Sequence, residues 1–128
     1  MTATGRLDAP LHFYNIGNME KKSALAGLAA LAQETRLDIF RLLVERGPAG
    51  LAAGDIAAAF GLPAATLSFH LKELRGAGLI TGRRAGRSLI YAADYAAMRG
   101  LVGYLTENCC RSRSGAPAAA ARLEESEA

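Results

Sequence analysis

Only two cysteines and two histidines occur in the 128 residues. The cysteines are neighbours, Cys109 and Cys110. Adjacent cysteines rarely form a structural disulfide, because the ring they close is short and strained. A disulfide framework is therefore excluded, which fits a reducing compartment. With His12 and His70 as the only histidines, no tetrahedral Cys/His zinc site follows from the spacing within one protomer. No apolar run approaches the roughly 18 residues needed to span a bilayer. No charged start leads into an apolar stretch of the kind that marks a signal peptide. The expectation is a soluble, cytoplasmic protein. Also missing are a Cys-x-x-Cys at a helix start, a βαβ pattern, a Ser-His-Asp set and a glycine-rich phosphate loop. The chain is accordingly read as a non-enzyme with no required cofactor.

What is present is a modest core. Hydrophobic residues make up 51%, enough for one folded domain. Much of that share is alanine, which buries little area, so a dimer interface would add usefully to it. Net charge is +3 and unevenly spread. Between Ala64 and Tyr91 the charged residues are Lys72, Glu73, Arg75, Arg83, Arg84 and Arg87, five of the six positive. Acidic residues collect elsewhere, notably Glu124, Glu125 and Glu127. A local basic stretch points to a polyanionic partner.

Residues 1–18 carry Gly5, Pro10 and Gly17 without a helical period and read as a flexible arm. A helical pattern starts directly after Met19, which is read as an alternative start of translation. Residues 111–128 read as a mostly disordered tail. The folded domain is then 19–110, with five helices and one hairpin. Helix one is expected over about 20–31, with Leu25, Leu28 and Ala32 on one face. Helix two spans about 35–45 with Thr35 as N-cap, and is apolar around most of its circumference, hence central. Helix three covers about 53–60. Gly61 and Leu62 make a tight turn, and helix four opens at Pro63 as its first residue and runs to about Gly76. Leu67, Leu71 and Leu74 form its inner face. A basic turn, 81–87, separates two β-prone runs and reads as a hairpin. Asp94 caps helix five, 95–110, whose stripe of Met98, Leu101, Val102 and Leu105 extends to Cys109. The fold class is mainly α with a small β-hairpin, a winged helix-turn-helix.

A short helix, a tight turn, a second helix and a basic hairpin in this order are together specific for DNA binding. The outer side of helix four carries Ala65, Thr66, Ser68, Phe69, Lys72 and Glu73. Small residues near its start permit close approach to base edges. Ser68 can pair with bases or phosphates, and Lys72 suits phosphate. Arg83, Arg84 and Arg87 on the wing can reach phosphates or a minor groove. His70 admits two readings of equal weight, a packed hydrogen-bonded histidine or a DNA contact.

The segment Leu31-Ala-Gln-Glu-Thr-Arg-Leu-Asp-Ile-Phe-Arg-Leu-Leu, the later Thr66-Leu-Ser-Phe-His-Leu-Lys-Glu-Leu, Gly78-Leu-Ile and the hairpin through Ile90-Tyr91 resemble the ArsR/SmtB family of metal-sensing repressors. The likeness covers about 21–110. It implies a homodimer through the first and last helices and repression relieved by an inducer, and such a dimer is expected on an inverted-repeat operator. It places DNA contacts at Thr66, Ser68, Phe69 and His70. One sensor class of the family has a Cys-x-Cys pair in the helix-three region, but that region here reads Ala52-Ala53-Gly54-Asp55-Ile56. Another uses histidine and carboxylates on the last helix, which here has Asp94 and Glu107 but no histidine.

The run Tyr104-Leu-Thr-Glu-Asn-Cys109-Cys110 resembles the arsenic-responsive group with a vicinal cysteine pair. Trivalent arsenic is soft and prefers thiolates. Arg111 and Arg113 favour the thiolate forms, while the helix C-terminus opposes them. In relatives that sense inorganic arsenite a third cysteine follows; here Ser112 and Ser114 occupy that stretch. Two thiols match the two open valences of methylarsenite, which is therefore the favoured inducer, with arsenite or antimonite close behind. The alternatives are a cysteine redox switch, a protein-interaction module, and a structural role in which Cys109 is a small buried hydrophobe and Cys110 is incidental.

Overall fold

The computed structural model describes residues 19–110. The expected arm and tail, with His12, Arg111, Ser112, Arg113 and Ser114, lie outside the described residues. In chain order the elements are α1 (Lys21–Leu31), α2 (Glu34–Arg46), β1 (Leu51–Ala52), α3 (Ala53–Phe60), α4 (Ala64–Gly76), β2 (Ile80–Ala85), β3 (Ser88–Ala93) and α5 (Tyr95–Thr106). Five helices and a hairpin thus form the expected winged helix-turn-helix. None of the helices is long and apolar enough to cross a membrane.

The core sits where α2, α4 and the sheet meet. Ile39 and Leu43 of α2, Ile56 of α3, Leu67, Leu71 and Leu74 of α4, and Leu79 and Ile80 before and within β2 are all buried. Their spacing on α4 matches the sequence period. On α2 burial is confined to Ile39, Phe40 and Leu43, and Leu37 is exposed.

Helix α1 turns the opposite way from expectation. Its buried residues are Ala24, Gly27 and Ala30, while Leu25 and Leu28 are exposed. Small side chains let the α1 backbone come close to its neighbours. A Cβ on Gly27 would meet Leu101 Cδ2 at 3.6 Å and Leu79 Cδ2 at 3.7 Å. The leucines are left for a surface that the protomer does not cover.

Three boundaries differ from the sequence reading. Gln33, not Thr35, caps α2: its side chain accepts from the Arg36 backbone N–H at 2.8 Å. Pro63 stands one residue earlier than expected, as the N-cap of α4. Helix α5 stops at Thr106 instead of continuing to Cys110. The Thr106 hydroxyl donates back to the Val102 carbonyl at 2.8 Å, and the Cys109 N–H bonds the Thr106 carbonyl at 2.8 Å, closing a turn where the helix would have continued. Asp94 does cap α5, accepting from Ala97 N–H at 3.0 Å.

The sheet holds three antiparallel strands in the order β1-β3-β2. Strand β1 is two residues long and pairs Leu51 with Tyr91 and Ala52 with Ile90. Gly50, at φ +73°, makes that pairing feasible, because a Cβ there would run into the Tyr91 carbonyl oxygen. The β2–β3 ladder runs from Ile80 opposite Ala93 to Ala85 opposite Ser88, leaving a two-residue turn at Gly86 and Arg87. The wing is thus mostly strand, and residues 81–85, expected in the turn, are paired.

Candidate nucleic-acid interface and thiol site

Helices α3 and α4 are joined through Gly61, whose left-handed conformation (φ 62°, ψ 37°) ends α3 while its N–H bonds back to Ala57 and Ala58 carbonyls. The turn delivers α4 with one face locked into the core. At 100° per residue, Leu67, His70, Leu71 and Leu74 share the inner arc, and Ala65, Phe69 and Lys72 lie opposite. Thr66, Ser68 and Glu73 flank that outer line. All six outer residues are exposed. The structure therefore brings Thr66, Ser68, Phe69 and Lys72 together on one face.

His70 belongs to the inner face and is only 8% exposed. Its Nδ1 stands 3.4 Å from Arg36 Nη1. Burial, and secondarily the Arg36 charge, hold its pKa below the ordinary histidine value. Packing accounts for His70, so the expected DNA contact there is not what its position provides. Sequence reasoning missed Arg36. This residue donates from Nε to the Ala30 carbonyl at 2.7 Å, and its guanidinium lies 6.0 Å from the Phe69 ring centroid. One side chain thereby links the end of α1, the start of α2 and the exposed helix α4. A basic residue at a helix start, against the dipole preference, was the available signal.

On the wing Arg84 and Arg87 are exposed, Arg84 on β2 and Arg87 in the turn. Arg83 is also exposed on β2, but its Nη2 donates to the Ala49 carbonyl at 3.2 Å. It tethers the wing to the α2–β1 loop. Lys72 on the outer face of α4 and the arginines of the wing are two separate positive regions available to a polyanion.

The cysteines sit in the turn after α5 and are exposed; the helix ends before Cys109, so the expected extension of its apolar stripe to that residue does not form. Asn108 and Cys110 have positive φ, 68° and 60°. Left-handed backbone is costly for a non-glycine residue and clusters at functional sites. Here it accompanies a close approach of the two thiols, with Sγ···Sγ 3.5 Å. Two thiolates each about 2.3 Å from a shared soft atom, at an angle of about 100°, would stand about 3.5 Å apart. The spacing suits chelation. Among the described residues no group of three or more His, Cys, Asp or Glu side chains comes together that could hold a metal ion.

Residues 31–83 match a family described as a helix-turn-helix domain. Over 109 residues the chain is 34% identical to the HTH-type transcriptional regulator CmtR of Mycobacterium tuberculosis, covering 84% of this chain and 90% of CmtR. It is 30% identical over 100 residues to the transcriptional activator HlyU of Vibrio cholerae, covering 77% of this chain and 90% of HlyU. A likeness of 43% over 65 residues to the regulator NmtR of Mycobacterium tuberculosis spans 51% of this chain and about half of NmtR, 52%. The homodimeric winged helix-turn-helix domain Mb0332 of Mycobacterium bovis, a possible ArsR-family transcriptional regulator, superposes with TM-score 0.54 at 28% identity, over 84% of this chain and 92% of that one. The chain belongs to the ArsR/SmtB family.

This family member is a DNA-binding transcription regulator. A solved possible transcriptional regulator for arsenical resistance is also similar, at TM-score 0.55 and 29% identity, over 62% of this chain and 79% of that one. In the ArsR/SmtB frame, α3 and α4 are the helix-turn-helix and β2–β3 the wing.

Proposed function

We propose that the protein is a homodimeric repressor, released from an inverted-repeat operator by a trivalent arsenical bound at Cys109 and Cys110. The 3.5 Å approach of two exposed thiols is the observation that carries this reading. A soft, thiol-seeking ligand fits it, and no third cysteine exists in the chain to complete three bonds to inorganic arsenic. Methylarsenite, whose two hydroxyl groups leave as water with the two thiol protons as two As–S bonds form, is therefore the favoured inducer, and arsenite or antimonite the next. The similar regulator for arsenical resistance supports the same ligand class.

The two subunits join through α1 and α5. Leu25 is 58% exposed, Val102 55% and Leu105 57%. Such side chains in water forgo burial energy that a second copy would recover. The homodimeric Mb0332 domain supports the same assembly. Thr66, Ser68, Phe69 and Lys72 face the major groove, and Arg83, Arg84 and Arg87 contact the backbone from the wing.

Induction acts through the dimer, because the thiols lie beyond α5 and not on α4. The start of α5 is tied to α2, with the Tyr95 hydroxyl donating to the Val44 carbonyl at 2.9 Å. Asp94 N–H bonds the Leu79 carbonyl at 2.8 Å, just before β2. A ligand that re-orders the turn after Thr106 shifts the α5 face, and the recognition helices move with it. The ligand must bind the two dimer geometries unequally, and a coupling of about 1–3 kcal/mol is typical. The test is native mass spectrometry with methylarsenite, which should add one arsenical per protomer to the wild type and none to the Cys109→Ser, Cys110→Ser double variant. Binding to the double variant would overturn the site.

The thiol spacing also suits a second reading, oxidation of the pair as a redox switch. Release of DNA by peroxide but not by arsenicals would favour it.

A further inference from the structure

We propose that Phe69 reads a thymine in each half-site by van der Waals contact with its C5-methyl group, and that Arg36 positions the ring. The inference rests on the assignment of α4 as the recognition helix. Phe69 lies on the outer line of α4, between Ala65 and Lys72, and is 54% exposed. A phenyl ring at the centre of a polar face gains nothing from water there. Lys72 beyond it, and Thr66 and Ser68 beside it, suit a phosphate-flanked groove better than an apolar protein surface. On the floor of the major groove the base edges present donors and acceptors, which a phenyl ring leaves unpaired. The thymine methyl is the apolar group there.

The ring is also held. The Arg36 guanidinium lies 6.0 Å from its centroid, within the range of a cation–π contact. The His70 ring meets it edge-on at 5.6 Å and 61°. Arg36 is itself fixed, from Nε to the Ala30 carbonyl at 2.7 Å and from its backbone N–H to Gln33 Oε1 at 2.8 Å. A pre-positioned ring loses little freedom on binding, so a single methyl contact can discriminate.

The probe is the tightest duplex recovered by selection from a random-sequence pool, with each thymine replaced in turn by deoxyuridine, which lacks only the methyl group. For the wild type, one symmetric pair of replacements should weaken binding about fourfold per half-site. Phe69→Ala should bind the thymine duplex more weakly and lose that discrimination. Arg36→Met should reduce the discrimination, and the His70 imidazole, followed by NMR, should titrate at higher pH because its neighbouring cation is gone. Arg36→Lys, which keeps the charge but not the fork, should discriminate less than the wild type. A wild type indifferent to every deoxyuridine, or Phe69→Ala that still discriminates, overturns the role of Phe69. Unchanged discrimination in both Arg36 variants overturns the role of Arg36. If no duplex is enriched, the recognition-helix assignment fails and this inference falls with it.

Discussion

At the residue scale, the thiol site depends on two left-handed residues, Asn108 and Cys110. Asparagine tolerates that conformation, cysteine less so. The pair itself was legible in the sequence, because the chain's only two cysteines are adjacent. Its setting was not. The apolar stripe of α5 extrapolates smoothly to Cys109, and nothing in the period shows that the Thr106 hydroxyl and the turn beyond it end the helix. Cys109 and Cys110 accordingly lie in a turn and not on helical backbone. Cys109→Ser and Cys110→Ser should each keep operator affinity, measured by fluorescence anisotropy, and each abolish release by arsenicals.

His70 gives a pH prediction. Its pKa is lowered by burial and by Arg36, so the folded state binds its proton less readily than the unfolded state. The stability it contributes is complete above the unfolded value of about 6.5 and is lost as pH falls toward the folded pKa. Urea unfolding should show lower stability at pH 5.5 than at pH 7.5. The His70→Gln variant should show a shallower drop over the same window. An equal drop in both would place the titrating group elsewhere.

At the element scale, α4, the hairpin and the Asp94 cap of α5 follow from local signals: leucines at helical spacing, glycines in a basic turn, and an aspartate before an apolar period. Three other features resist that reading. Strand β1 is two residues long, too short to show alternation. Gln33 caps α2 although glutamine is not a favoured cap. In α1 the leucines mark the exposed side, because close approach of α1 to Leu79 and Leu101 selects Ala24, Gly27 and Ala30 for the inner face. Period alone gives a face but not which way it points.

The wing carries its own test. Replacing Arg83, Arg84 and Arg87 together with alanine should weaken binding to all sequences. It should flatten the dependence of log K on log salt by about 0.9 for each phosphate that the variant no longer neutralises. Arg84 and Arg87 should account for most of that change, since Arg83 is engaged with the Ala49 carbonyl. An unaltered salt slope in the triple variant would remove the wing from the interface.

At the scale of the whole molecule, the exposed leucines of α1 and α5 connect assembly to induction. Sedimentation at micromolar concentration should give a dimer, and Leu25→Glu with Leu105→Glu should give a monomer with much weaker operator affinity. A wild-type monomer that binds its operator tightly would contradict the dimer. Arsenical sensing is the central claim, and DNA release tests it most directly. Purified wild type and the Cys109→Ser, Cys110→Ser double variant, each bound to a fluorescent operator duplex, are titrated with methylarsenite and with arsenite. The wild type should release DNA, at lower concentration for methylarsenite than for arsenite, and the double variant should stay bound. Equal or better release by arsenite would contradict the methylated preference, and release of the double variant by either arsenical would contradict the thiol site itself.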